Sequence, residues 1–362
     1  MKIFIDGMLF RHTGIGRIYE NLLDGLIRSE EVEQVSTLVH TRMEQEFNKR
    51  FSSGKLSVRF TNLPFSYKEY LFKGRIINRE FPGCDIYHFL HSNVPFFLNG
   101  NVVSTICDLI TISPIFGLPW HRRCRFKYPF RHAIDRSKHV VCISEYTKSE
   151  VIRTFGTSPE NLSVIYPPLT FPGIRRDDLP SPIVGDYLLY VGNRHVHKNL
   201  RCLFGALGLL VPEFPHLKVV VAGTRMTPVD DVDRSMKDPV LAGKVVPIVG
   251  AGDEEIQRLY AHAKAFVFPS LIEGFGIPPL EALHARIPVV CSDIPVLREV
   301  CGDSVRYANP QDPADFAIKI REALTSIHPE AQATAGRSRA LRFAAGNLTD
   351  VYLDLFRRVA SP

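Results

Sequence analysis

The stretch AFVFPSLIEGFGIPPLEALHARIPVVC, residues 265–291, decides the fold. It opens on a short apolar run, residues 265–269, and closes on another, residues 289–291. Both have the length and composition of fully buried strands. Between them, Gly274 and Gly276 favour a turn with close backbone approach. Pro278 and Pro279 suit the entry and first turn of a helix, where a missing N–H is harmless. Strand, helix and strand in that order make a parallel pair with the helix covering one face.

The same alternation recurs along the chain. Residues 3–6, 35–39, 85–89, 102–106, 139–143 and 163–166 read as short strands. Residues 17–28 carry Ile18, Leu22 and Leu26 on one helical stripe, and residues 144–155 read as a helix with Ser144 as its N-cap. The segment YPPLTFPGIRRDDLPSPIVGD, residues 166–186, then breaks the pattern. It is dense in Pro and Gly and reads as a linker. Beyond it the alternation restarts, with strands at 187–191, 218–222, 245–249, 265–269 and 289–291 and helices at 200–210 and 254–263. Strands that are apolar throughout, each followed by a helix, imply parallel sheets covered on both faces. The expected fold is therefore α/β, two doubly wound Rossmann-like domains facing across a cleft: residues 1–168, a linker at 169–186, and residues 187–345. Residues 346–362 hold a final helix that caps its own domain or crosses back toward the first, the second arrangement being favoured.

A chain of 362 residues fits two such domains. The start, MKIFIDG, has no signal-peptide pattern, and no apolar run is long enough to span a bilayer. The expected location is the cytoplasm, at the inner face of the membrane if the chain touches one. Seven scattered cysteines without a C-x-x-C pair argue for reduced thiols and against structural zinc. Residues 120–139 hold seven Lys or Arg against one Asp, interleaved with aromatic residues. Such a stretch is either a solvated helical face or a patch for an anionic membrane or acceptor. No nucleic-acid recognition motif accompanies it.

Five places carry chemistry. Glu273 should follow a strand in the turn, with Glu281 in the first turn of the next helix. On one continuous helix the two would stand about 12 Å apart along the axis, but the glycines and prolines forbid that helix. Carboxylates there suit sugar hydroxyls, and the turn and helix N–H groups suit phosphate. In YVGNRHVHKNL, residues 190–200, a strand ends at Gly192, and Arg194 and Lys198 follow. A guanidinium fork and an ammonium can hold a departing diphosphate. His195 and His197 read as loop surface. In RHTGIGRIYENLL, residues 11–23, Gly14 and Gly16 form a glycine loop ahead of a helix. This is an incomplete dinucleotide fingerprint, since Tyr19 fills the third glycine position. Asp108 lies just past a strand, as turn former or site acid. The backbone around Val249 can meet a nucleotide base. No cluster of metal ligands is apparent, and no cofactor beyond a nucleotide-sugar substrate is implied.

Together these stretches resemble the retaining glycosyltransferases of family four, the group 1 glycosyltransferases of GT-B fold. FVFPSLIEGFGIPPLEALHARIPVVCSD carries that family's Glu-x7-Glu signature, and TGIGR, VVCISEYTKSEVI and LLYVGNRHVHKNL match its other landmarks in order. The resemblance implies that Glu273 and the backbone of Phe275, Gly276 and Ile277 meet the donor sugar, next to Gly274. It implies that Glu281 binds ribose hydroxyls and that Arg194 and Lys198 hold the diphosphate, approached by Gly14 and Gly16. Asp108 matches the acid of a His-Asp pair whose first member is Cys107 here, and Arg286 replaces a common glycine. The implied activity is metal-independent, retaining transfer of a hexose from GDP-mannose or a UDP-hexose to a glycan or lipid-linked acceptor in polysaccharide synthesis. A covalent role for Glu273 ranks behind attack on the face the diphosphate leaves. A sugar-nucleotide epimerase of the same architecture, a non-catalytic sugar-nucleotide binder and a nicotinamide or flavin oxidoreductase are the alternatives.

Overall fold

The computed structural model describes residues 1–11, 13–63, 67–169, 180–227, 229–326, 329–344, 346 and 348–361. Most of the expected linker, residues 170–179, lies outside the described residues. The chain divides into two compact units. The first is Met1–Ile112, Leu118–Thr170 and Ala345–Pro362, and the second is Ser113–Gly117 with Phe171–Ala344.

The first unit is built on seven strands: β1 (Lys2–Asp6), β2 (Gln34–His40), β3 (Leu56–Thr61), β4 (Ile86–Phe89), β5 (Val102–Ile106), β6 (His139–Cys142) and β7 (Leu162–Val164). Their order is β3-β2-β1-β4-β5-β6-β7, every pair parallel. The central strands β4 and β5 are buried at every position, as strands covered on both faces must be. Helix Thr13–Arg28 lays Ile18, Leu22 and Leu26 into the core. Each such side chain contributes about 1.5–3 kcal/mol by leaving water. The last helix, Leu348–Ala360, belongs to this unit and buries Tyr352, Leu355 and Phe356. Its Tyr352 and Phe356 rings lie 5.0 and 5.4 Å from the His88 ring on β4, and Arg357 pairs with Glu31 at 2.8 Å.

The second unit repeats the plan with β8 (Tyr187–Val191), β9 (Lys218–Ala222), β10 (Val245–Ile248), β11 (Ala265–Phe268), β12 (Val289–Ser292) and β13 (Arg306–Ala308). Their order is β10-β9-β8-β11-β12-β13, again all parallel. The expected doubly wound α/β class is what the chain adopts. Both sheets turn back on themselves beside their first strand: β2 and β9 lie on one side, β4 and β11 on the other. Ligands of such sheets gather at the carboxyl ends of the strands at this reversal.

Among the described residues the sequence pattern missed β3, β13 and six helices, Glu44–Arg50, Tyr67–Glu80, Asp231–Ser235, Pro295–Cys301, Pro313–Leu324 and Pro329–Leu341. Strand β3 is an edge strand of mixed polarity, LSVRFT, and nowhere fully buried, so its alternation is weak. The basic stretch is a helix, Trp120–Arg136, whose buried residues Phe130, Ala133 and Ile134 all lie in its second half.

Candidate functional site

At the reversal of the second sheet, β8 and β11 end side by side. The chain leaves β8 through Gly192, whose oxygen would stand 1.7 Å from any Cβ added to Gly223 at the end of β9. Only a glycine at 223 lets these backbones approach so closely. The Arg194 amide then donates to the Thr224 carbonyl at 3.0 Å, which fixes the loop. A short turn, Val196–Lys198, ends at Asn199 in the left-handed region with φ 56°. The Asn199 side chain donates to the carbonyls of Pro269 and Pro310 at 3.0 and 2.7 Å, tying the loop to the chain beyond β11.

These restraints bury one cation and half-bury another. Arg194 is only 7 % exposed, and its NH1 lies 3.7 Å from Asp230 Oδ2. Its Nε and NH2 are buried without a hydrogen-bond partner. Buried guanidinium N–H groups are nearly always satisfied, because leaving a charged donor bare is expensive. Asp230 is held in turn as the N-cap of helix Asp231–Ser235, accepting from the Val232 and Asp233 amides. Lys198 Nζ donates to Glu273 Oε1 at 2.6 Å and sits 5.4 Å from the centre of the Phe268 ring. Glu273, 7 % exposed, is in the loop after β11, as the sequence implied. Lys198 and Glu273 therefore join the two strands that flank the reversal.

Around this pair the turn continues through Gly274 and Phe275, whose ring packs edge-on against Phe343 at 5.5 Å. Gly276, φ 108°, is the N-cap of helix Ile277–His284. Glu281 is not in the first turn, as expected, but is the fifth residue of that helix, because the helix begins ahead of the two prolines. It is buried and accepts from the Tyr260 hydroxyl at 2.9 Å. His197 is also not loop surface. It is 5 % exposed with its Nδ1 unpartnered, and burial, helped by Lys198 and His195, lowers its pKa to about 3. Its imidazole is therefore neutral near pH 7. Val249 follows the edge strand β10, two strands away from β8, and is 63 % exposed.

The first unit holds the other candidates. Gly14 and Gly16 are not in a loop but within the opening of helix Thr13–Arg28. Asp108, half-buried past β5, accepts the Ile110 amide at 2.9 Å, the bond of a turn former. A cluster that sequence reasoning missed lies at this sheet's reversal. Lys73, wholly buried, bonds Asp6 Oδ2 at 3.0 Å and Glu69 Oε1 at 2.6 Å, and Asn93 Nδ2 bonds the same two acids at 3.3 and 2.9 Å. Burial raises the Asp6 pKa although Lys73 opposes it. Burial alone would lower that of Lys73, but the two carboxylates raise it overall. Glu69 and Lys73, four apart on one helix, resemble an ordinary surface pair in sequence, so nothing signalled the cluster. Asp230, Tyr260 and Asn199 were missed as well. The D-x-x-D spacing of Asp230 and Asp233 was the one available signal, that of a helix N-cap.

Comparisons with known proteins agree with this architecture. The profile of the glycosyl transferases group 1 matches residues 176–339, and that of glycosyltransferase family 4 matches residues 13–170. The O-antigen chain mannosyltransferase B of Escherichia coli is 26 % identical over 95 % of this chain and 96 % of its own length. An O-antigen chain mannosyltransferase of Salmonella typhimurium is 29 % identical over 54 % of each chain. Among solved structures, the sucrose-phosphate synthase of Thermosynechococcus elongatus superposes with TM-score 0.77 at 15 % identity, over 99 % of each chain. Anabaena HepE in complex with UDP-glucose superposes with TM-score 0.76 at 15 % identity, over 99 % of this chain and 100 % of that one. At such identity these structures speak for the fold, which is GT-B. The chain belongs to the group 1 glycosyltransferases.

Proposed function

We propose that this glycosyltransferase moves a hexose from a nucleoside-diphosphate sugar to a glycan or lipid-linked acceptor with retention of the anomeric configuration and without a metal ion. The observation that carries the reading is the buried guanidinium of Arg194, whose Nε and Nη2 both have unused N–H donors beside the carboxyl end of β8. A diphosphate oxygen is the complement of such a fork. Lys198 adds a second cation whose ammonium Glu273 orients. The O-antigen mannosyltransferase relatives favour mannose as the sugar, carried by GDP, with a UDP-hexose as the alternative donor, and favour a surface polysaccharide as the product.

In this reading the bond from C1 to the diphosphate oxygen breaks as the acceptor oxygen bonds to C1 on the same face. The acceptor's proton passes to the departing diphosphate. Negative charge grows on that leaving group, and fixed N–H donors in a dry site stabilise it most where it grows most. Glu273 and the backbone of Gly274, Phe275, Gly276 and Ile277 meet sugar hydroxyls, and neutral His197 offers its unpartnered Nδ1 to another. Glu281, steadied by Tyr260, binds the ribose. Gly192, Gly14 and Gly16 approach the phosphates, the Val249 backbone meets the base, and Asp108 borders the acceptor. The work takes place on the cytoplasmic side of a membrane, with the basic helix as a peripheral contact.

Incubation with GDP-mannose or UDP-hexoses and a mannose-terminated, lipid-linked acceptor tests this, with the new linkage read by NMR. The α-configured donor should give an α-linked product, unchanged by a chelator. A β-linked product, or donor converted to its epimer with no acceptor present, would sink the reading.

A further inference from the structure

We propose that one face of the first unit, built from helix Tyr67–Glu80, the loop of residues 94–101 and helix Trp120–Arg136, docks on an anionic lipid bilayer by inserting Phe97. The inference rests on the reading above for its purpose, since a lipid-linked acceptor resides at a bilayer.

Phe97 is the central observation. It is 62 % exposed and adopts φ 58°, a left-handed conformation that disfavours bulky residues. Strain of this kind persists only where the surroundings enforce it. Here the Asn78 side chain donates to the Phe97 carbonyl at 2.6 Å and accepts the Asn99 amide at 3.1 Å. Arg136 donates to the Leu98 carbonyl, and the Phe96 amide donates to the Tyr70 carbonyl at 2.8 Å. Both flanking helices thus brace a loop that presents a phenyl ring to solvent.

Further apolar surface is continuous with it. Arg75 lies over the Phe97 ring at 5.4 Å, and Phe72, one helical turn away, is exposed. On the other side Phe96 sits 6.3 Å from both Phe97 and Tyr128, which is 61 % exposed. Trp120 on the same helix, about 80° around its axis from Tyr128, is exposed too, whereas Phe126 points to the other side. Charge selects the occupant. Arg122, Arg125 and Lys127 are exposed on that helix and Arg75 borders the ring. The acids of these three segments are engaged elsewhere: Glu69 with Lys73, Glu80 with Arg79, Asp135 with Arg131. Aromatic rings ready to enter an interface, ringed by cations, suit anionic headgroups above acyl chains.

The chain contains a single tryptophan, Trp120, so its fluorescence reports on this face without a label. The whole protein is mixed with vesicles of phosphatidylcholine alone, or of phosphatidylcholine with phosphatidylglycerol. Co-sedimentation and a blue shift of the emission are expected with the mixed vesicles only, and added salt should weaken both. Phe97→Gly fits the left-handed backbone, so it should melt no lower than the parent yet bind mixed vesicles about tenfold or more weakly. Arg122→Glu combined with Arg125→Glu should abolish binding. The proposal is overturned if the parent ignores mixed vesicles, if it binds phosphatidylcholine equally well, or if both variants bind like the parent. Transfer to a soluble acceptor is assayed in parallel. Vesicle binding without any transfer would sink the functional reading and leave the docking face standing, and transfer without vesicle binding would do the reverse.

Discussion

Where the first sheet reverses, between β1 and β4, one lysine is enclosed by two carboxylates and an amide. Lys73 donates to both carboxylates, and the ammonium is sealed from water. Where the second sheet reverses, between β8 and β11, two cations meet two carboxylates, but Nε and Nη2 of Arg194 have no hydrogen-bond partner. The first arrangement has an excess of acid and leaves bare only acceptors, Asp6 Oδ1 and Asn93 Oδ1. The second has donors in reserve and can accept an anion. One topology thus serves two ends: a charged cluster that holds a helix to its sheet, and a seat for a leaving group. A strand-end position at a reversal does not distinguish them, but the donor inventory of each cluster does.

The largest test breaks the closed cluster. Lys73→Ala strands Asp6 and Glu69 without their cation, and unfolding by urea should report a loss of about 3–5 kcal/mol. A loss under about 1 kcal/mol would mean that the cluster is open to water, contrary to the comparison. Next comes the open cluster. Lys198→Ala leaves Glu273 without its cation, so it should cost some stability, less than Lys73→Ala because this pair is less deeply buried. It should lower kcat by about 10²–10³-fold, with a small effect on donor KM. Unchanged turnover would remove Lys198 from the leaving-group role.

The contrast explains how much could be read in advance. The central strands were legible because both faces are covered, which makes them mainly apolar runs, while edge strands such as β3 were not. Arg194, Lys198 and Glu273 stood out because each follows such a run within a few residues. Lys73 could not be found that way. Its partners lie 67 residues before it in the chain, at Asp6, and one turn away at Glu69, where a Glu–Lys pair normally faces water. The position of Glu281 was misjudged because prolines usually open a helix, and here Ile277 precedes them. His197 reads as surface because a histidine in a polar loop gives no sign that neighbouring loops will bury it. The strained backbone of Phe97 had no sequence signal, since the nearby turn motif Asn99-Gly100 marks Gly100 and not Phe97 as the positive-φ position.

A smaller effect probes His197. Its folded pKa, about 3, lies below the ordinary value of 6.5. The unfolded chain therefore binds a proton that the folded chain refuses, so its contribution is complete above pH 6.5 and falls away as pH drops toward 3. Between pH 6.5 and 5 the parent should lose about 2 kcal/mol more than His197→Gln. Parallel curves would mean that the imidazole is wet. The smallest effect concerns Tyr260→Phe, which removes one hydrogen bond from Glu281. Donor binding should weaken by about 1 kcal/mol, roughly fivefold, with kcat nearly unchanged. A fall in kcat alone would tie Glu281 to the reacting centre rather than to the ribose.

Calorimetric titration with GDP or UDP, comparing the parent with Arg194→Ala, addresses the unused guanidinium donors directly. The account predicts saturable binding of at least one diphosphate by the parent, with affinity about 30-fold or more lower in the variant and little binding of the bare nucleoside by either. Equal affinity in the two proteins, or binding of the nucleoside as strong as that of the diphosphate, would contradict it.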